Sequence, residues 1–142
     1  MKSRTILIAC QDDLSARSLS TFFHGTGYRI ETAGMVSELI RKAQEDRNHV
    51  VLLDDEIEGV KAYDLVHLLK RMNPRIQIIV ISSEESIGLI KRLRAAGIFY
   101  LTMKPVDLEE VKAAVECAFE KIERERPREG LFPFLIPRRA PA

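Results

Sequence analysis

Five short strand-like runs, four of them apolar, alternate with five stretches whose apolar residues recur at helical spacing, and this strict alternation constrains the fold more than any other feature. The runs are TILIAC (5–10), YRIETA (28–33), VVLL (50–53), IQIIVI (76–81) and FYLTM (99–103). Near-continuous apolar runs of this length suit parallel strands buried on both faces. YRIETA alternates polar with apolar and predicts a more exposed strand. Between the runs lie helical stripes: Ala16, Leu19, Phe22 and Phe23; Val36, Leu39, Ile40 and Ala43; Leu65, Leu68, Leu69 and Met72; Ile87, Ile90 and Leu93. Asn73-Pro74 ends the third helix and Gly97 the fourth. The last helix opens at Asp107 and Glu110, spaced as a capping box, and runs through Val111, Val115, Ala118, Phe119 and Ile122 to about Glu125. Strict β-α alternation predicts an α/β fold, a five-stranded parallel sheet doubly wound by helices on both faces. In such sheets the ligand crevice lies beyond the carboxyl ends of the strands.

Four polar residues stand at those ends: Asp12 after the first run, Asp54 after the third, Ser82 after the fourth and Lys104 after the fifth. Side by side in one sheet, they converge on one edge. Two carboxylates, a hydroxyl and an ammonium in one crevice suit a divalent cation with a phosphoryl group. Magnesium takes one or two carboxylates and fills its octahedron with water and phosphate oxygens. A carboxylate can also attack phosphorus and form an aspartyl phosphate. Charge spreading over the transferred group then calls for a cation and a hydrogen-bond donor, the parts that Lys104 and Ser82 supply. Asp54 ends a central strand and is the better nucleophile; Asp12 is then the metal ligand.

Composition removes several other classes. A net charge of +1 gives no global field toward nucleic acid or membrane, and no apolar run approaches a bilayer span. The short start MKSRTILIAC is no signal peptide, so the expectation is a cytoplasmic protein. Cys10 and Cys117 lie in apolar patterns without metal-type spacing and read as buried free thiols. His24, His49 and His67 read as surface histidines, and Gly25-Thr26-Gly27 as a turn, since it precedes a strand and lacks a third glycine. The chain divides into a domain over 1–125 and a tail over 126–142. The tail holds four of the six prolines, four arginines and one glutamate; its net +3 leaves −2 on the domain. Its prolines forbid a continuous helix, and it is too short for a second domain, so direct DNA binding is not expected.

These residues resemble the receiver domain of response regulators, the phospho-accepting half of two-component signalling, over about residues 4–123. That family carries an acidic pair after the first strand, an aspartate after the third, a Thr or Ser after the fourth and Lys-Pro after the fifth. The counterparts here are Gln11-Asp12, Asp54, Ser82 and Lys104-Pro105. The resemblance implies a flavodoxin-like sheet with strand order 2-1-3-4-5 and phosphorylation of Asp54 by a sensor histidine kinase or a histidine phosphotransfer protein. It implies Mg2+ (or Mn2+) held by Asp12, Asp54 and the backbone carbonyl of Glu56, and a cis Lys104–Pro105 bond. Beyond slow self-phosphorylation from acyl phosphates and slow dephosphorylation, it implies no enzyme. Signalling would pass through the fourth helix, fifth strand and fifth helix to an output protein, and homodimers of receivers use the same face.

Departures from the family pattern are Gln11 in place of an acid, Glu58 and Ala62 in place of a proline and a glycine, and Leu101 at the aromatic switch position. Tyr100 is adjacent but points to the opposite face, so it does not substitute directly. Glu56 and Glu84 are expected to flank the phosphoryl group as modulators. Asp13 reads equally as an acid beside the site or as the start of the first helix. Ser82 also reads as a helix N-cap, and the pair Asp54-Asp55, taken alone, as a solvated loop start. A constitutive, phosphorylation-independent pseudo-receiver and a small phosphohydrolase using Asp54 are the alternative functions.

Overall fold

The computed structural model describes residues 4–45 and 48–125; the tail from 126 lies outside the described residues. The elements in chain order are β1 (Arg4–Ala9), α1 (Asp13–Phe23), β2 (Arg29–Ala33), α2 (Val36–Ala43), β3 (Asn48–Leu53), β4 (Glu56–Ile57) and β5 (Val60–Lys61). There follow α3 (Ala62–Met72), β6 (Gln77–Ser82), α4 (Ile87–Ala96), β7 (Tyr100–Met103) and α5 (Leu108–Glu125). Five strands form one parallel sheet in the order β2-β1-β3-β6-β7. This is the expected 2-1-3-4-5 order, renumbered because β4 and β5 intervene as a separate hairpin.

Period-2 alternation in the strands sorts the core into two layers. Leu7, Val51, Leu53, Ile78 and Val80 face α2, α3 and α4, where Leu39, Leu65, Leu69 and Leu93 meet them. Ile6, Ile8, Val50, Leu52 and Ile79 face α1 and α5, meeting Phe23, Val115, Phe119 and Ile122. Because β1, β3 and β6 are covered on both faces, the side chains of residues 5–9, 50–53 and 77–82 are buried, while the edge strand β2 is only partly so. This explains why the central runs read as continuous and YRIETA as alternating.

Some local expectations change. Ser82 is no helix cap: α4 begins after Ser86, whose hydroxyl accepts from the Leu89 amide at 3.2 Å. The capping box of α5 is half made. Asp107 accepts from the amides of Glu109 and Glu110, but the Glu110 carboxylate turns to β7, accepting from Tyr100 at 2.7 Å and Thr102 at 2.9 Å. Two hydroxyls offer that carboxylate more than a helix-end amide. Cys117 is exposed, not buried. Gly97 closes α4 in the left-handed region with φ 98°.

Candidate functional site at the carboxyl edge of the sheet

The parallel registers align the strand ends. Ala9 lies opposite Leu53, so Cys10 and Asp54 emerge together; the Asp54 amide donates to the Ala9 carbonyl at 3.0 Å. Ser82 lies opposite Met103, and the Lys104 amide donates to the Ser82 carbonyl at 2.8 Å. The Lys104–Pro105 bond is cis. Lys104 Nζ reaches Asp54 Oδ1 at 2.7 Å and Asp55 Oδ2 at 3.5 Å. Burial pulls the Lys104 ammonium toward neutrality, but its bond to Asp54 and the charges of Asp54 and Asp55 outweigh that and raise its pKa.

Asp54 Oδ1 also accepts from the Asp55 amide at 2.8 Å, whereas Oδ2 faces the Cys10 thiol at 3.3 Å. Burial, aided by the charges of Asp54 and Asp12, pushes that thiol up to about 11, so it stays protonated as a donor. Asp12 is the N-cap of α1, accepting from the Ser15 hydroxyl at 2.7 Å and amide at 3.3 Å. Those bonds, with the charge of Lys104, hold its carboxyl below the ordinary range. Asp13 is the exposed first residue of α1. A cavity of about 410 Å³ opens between α1 and the β7–α5 loop, lined by Cys10, Leu14, Asp54, Lys104, Val106 and Leu108 among others.

Ser82 is fully buried, and its hydroxyl accepts from the Glu84 amide at 3.0 Å. The neighbouring Ser83 reaches across to Asp55: its amide and hydroxyl both donate to Oδ2, at 3.0 and 2.8 Å. Burial raises the Asp55 carboxyl, but the serine hydrogen bonds and the Lys104 charge outweigh it, and the net direction is down. This Asp55–Ser83 link escaped the sequence reading. Its signal is a second acid after Asp54 and a second hydroxyl after Ser82.

Gln11 does not face the site as a ligand. Its Oε1 accepts from the Glu58 amide at 2.6 Å. Glu58 and Gly59 form the two-residue turn of the β4–β5 hairpin, with φ of 53° and 81°, the signature of a type I′ turn. A glutamate at positive φ is strained by about 1 kcal/mol, and two bonds offset this: the one from Gln11, and Glu58 Oε1 accepting the Val36 amide at 2.8 Å. That second bond caps α2, whose own N-cap Met35 has no capping side chain. Glu56 pairs across the hairpin with Lys61 at 2.6 Å, so its carboxylate is already engaged. Glu84 is exposed. Leu101 packs into the α2/α3/α4 layer, while Tyr100 turns to Glu110 on the other side, as strand alternation requires.

No cluster of three or more His, Cys, Asp or Glu side chains in ligand geometry occurs among the described residues. Magnesium does not need one. Two carboxylates and a main-chain carbonyl are hard oxygen donors of the kind it takes, so the donor chemistry fits the ion. Cys10 Sγ contacts the Asp12 main-chain carbonyl and Asp54 Oδ2, bringing the two strand ends together, while the Asp12 carboxylate is engaged by Ser15.

Known proteins converge on the same frame. The chain is 31% identical over 108 residues to a probable transcriptional regulatory protein, TcrX, of Mycobacterium tuberculosis, covering 75% of this chain and 46% of the relative. It is 27% identical over 118 residues to the DNA-binding transcriptional regulator NtrC of Azospirillum brasilense, covering 83% and 24%. It thus spans less than half the length of either. A receiver domain structure from Methanospirillum hungatei superposes with a TM-score of 0.81 at 21% identity, covering 89% of this chain and all of that one. The beryllofluoride-activated NtrC4 receiver domain dimer superposes with a TM-score of 0.76 at 22% identity, covering 83% and 98%. Residues 6–116, well over half of the chain, match the response regulator receiver domain. Strand order, strand-end chemistry and this match agree, and the chain belongs to the receiver domain family of two-component response regulators.

Proposed function

We propose that Asp54 is the phosphoacceptor of a magnesium-dependent receiver, and that residues 1–125 act as one signalling domain with 126–142 as a separate tail. The observation that carries this is the 2.7 Å pair between Lys104 Nζ and Asp54 Oδ1 in an open crevice at the carboxyl edge of the sheet. A carboxylate oxygen of Asp54 attacks the phosphorus of a phosphohistidine on a sensor kinase or phosphotransfer protein. The O–P bond forms as the P–N bond breaks, and the electron pair leaves on the imidazole. Lys104 neutralises charge on the phosphoryl oxygens, and the Ser82 hydroxyl donates to one of them. Asp12, Asp54 and the Glu56 carbonyl would hold Mg2+ (or Mn2+), which supplies charge neutralisation across the transferred group. The apolar rim of Leu14, Val106 and Leu108 beside Asp54 suits docking of the donor. Output passes to a partner protein through the α4, β7 and α5 face, and the domain turns over no substrate beyond slow exchange with acyl phosphates.

The test is to incubate the chain with Mg2+ and acetyl phosphate and weigh it intact. The wild type gains one phosphoryl group and Asp54→Asn gains none; no gain in the wild type, or an equal gain in the variant, sinks the proposal. A second reading, a phosphorylation-independent pseudo-receiver, is favoured by the engagement of Gln11 with Glu58 and by the packing of Leu101 into the core. It expects partner binding that is indifferent to Mg2+ and beryllofluoride.

A further inference from the structure

Asp55 stands where the site meets the β6–α4 loop, and it touches both. Its amide donates to Asp54 Oδ1 at 2.8 Å, and its Oδ2 lies 3.5 Å from the Lys104 ammonium that Asp54 already holds at 2.7 Å. The same Oδ2 accepts both the amide and the hydroxyl of Ser83. Residues 83–88 are all exposed, so no buried side chain anchors this loop. The Ser82–Glu84 turn and the Asp55 carboxylate are its visible ties to the sheet edge.

We propose that Asp55 is a positioning residue that latches the β6–α4 loop at rest and releases it when Asp54 is phosphorylated, through its shared hold on Lys104 and Ser83. The release rests on the phosphoacceptor reading above. At rest the Lys104 ammonium is shared by two adjacent carboxylates, with Lys61 acting on Asp55 from farther away. A phosphoryl group on Asp54 adds negative charge beside Asp55 and draws Lys104 to its own oxygens. Asp55 then loses its contact with Lys104, keeps only the more distant Lys61, and faces a stronger like charge at short range. Its bonds to exposed Ser83 are the cheapest to break, because water replaces them. Ser83 lies three residues before Ser86, the cap of α4, so freeing it frees the start of that helix. A cavity of about 280 Å³, lined by Asp55, Tyr63, Ser82, Leu89 and Arg92 among others, gives the loop room to move inward. At its rim the Arg92 guanidinium stacks on the Tyr63 ring, 4.4 Å from its centroid, tying α4 to α3. The relay thus reaches α4 without the β7 aromatic, whose position Leu101 occupies within the core layer.

Amide hydrogen exchange on the full 142-residue chain, read by mass spectrometry, tests both halves. Without any phosphoryl donor, Asp55→Asn should exchange about tenfold faster than wild type over residues 83–86, as expected for loss of hydrogen bonds to a charged acceptor. Ser83→Ala, which keeps its amide donor, should show a smaller rise. Exchange in β3 should stay unchanged in both. Wild-type rates over 83–86 in Asp55→Asn overturn the latch. With Mg2+ and acetyl phosphate, wild type that has gained a phosphoryl group should show the same acceleration. A mass gain with unchanged exchange overturns the release alone. No mass gain overturns the phosphoacceptor reading and the release with it, while the donor-free arm still decides the latch.

Discussion

The two loops that flank Asp54 are built on opposite principles. The β4–β5 hairpin, which follows it in sequence, is riveted to the core by fully buried Ile57. It is further tied by Gln11 to Glu58, by Glu58 to the start of α2, and by the Ala62 amide to the Asp55 carbonyl at 2.8 Å. The β6–α4 loop, on the other side, buries nothing between Ser83 and Gly88 and hangs on polar ties to Asp55 and Ser82. Apolar burial is insensitive to a change of charge at the site, whereas a hydrogen bond to a carboxylate beside that charge is not. One loop is therefore framework, and the other is placed to respond.

The largest effect that would break this contrast is at two isoleucines. Ile57→Ala should destabilise the domain by about 2–5 kcal/mol, whereas Ile87→Ala, at a side chain 70% exposed, should stay within about 0.5 kcal/mol. Denaturant titration measures both; equal costs would erase the distinction between the loops. A smaller effect lies at Gln11. Gln11→Asp restores an acid but shortens the side chain, so it should lose the bond to Glu58, costing about 0.5–1.5 kcal/mol. The added charge should also tighten Mg2+ binding at least about fivefold, read by titration calorimetry. Tighter binding without lost stability would show that the Gln11–Glu58 bond is not holding the hairpin.

Next comes Cys10. With its thiol raised to about 11, the thiolate at pH 8 is roughly a thousandth of the total. Iodoacetamide should therefore label exposed Cys117 and leave Cys10 unmodified, with Cys10 becoming reactive only as pH rises toward 11; peptide mapping reads this. Early labelling of Cys10 would mean that the crevice beside Asp54 is looser than its contacts imply. The smallest effect is expected at the hairpin rim. Lys61→Ala removes an exposed ion pair with Glu56, and solvent screening should leave the thermal midpoint unchanged.

Much of this was legible in the residues themselves. Every strand of the main sheet lies within two residues of its run; for the central strands this is because a strand buried on both faces has to be written as continuous Ile, Val and Leu. The strand-end residues were legible for the same reason: the apolar run stops where the strand reaches the edge of the sheet, so Asp54 and Ser82 could be placed by position alone, although Ser82 stays buried there. The hairpin was not, since Glu58-Gly59 is not a typical type I′ pair and its left-handed glutamate is held by Gln11, 47 residues away in sequence. Nor was the half-made capping box, because Tyr100 and Thr102 compete for Glu110 only once β7 and α5 are packed.

The sequence by itself determined the order of strands and helices, the two-layer core and the set of residues at the carboxyl edge, all consequences of hydrophobic period and chain direction. Tertiary structure alone decided how those residues share partners: Lys104 between two carboxylates, Asp55 with Ser83, and Gln11 turned from a ligand position into a clasp. Hydrogen bonds and ion pairs depend on distances of a few tenths of an ångström between groups far apart in the chain. Periodicity carries no information at that scale.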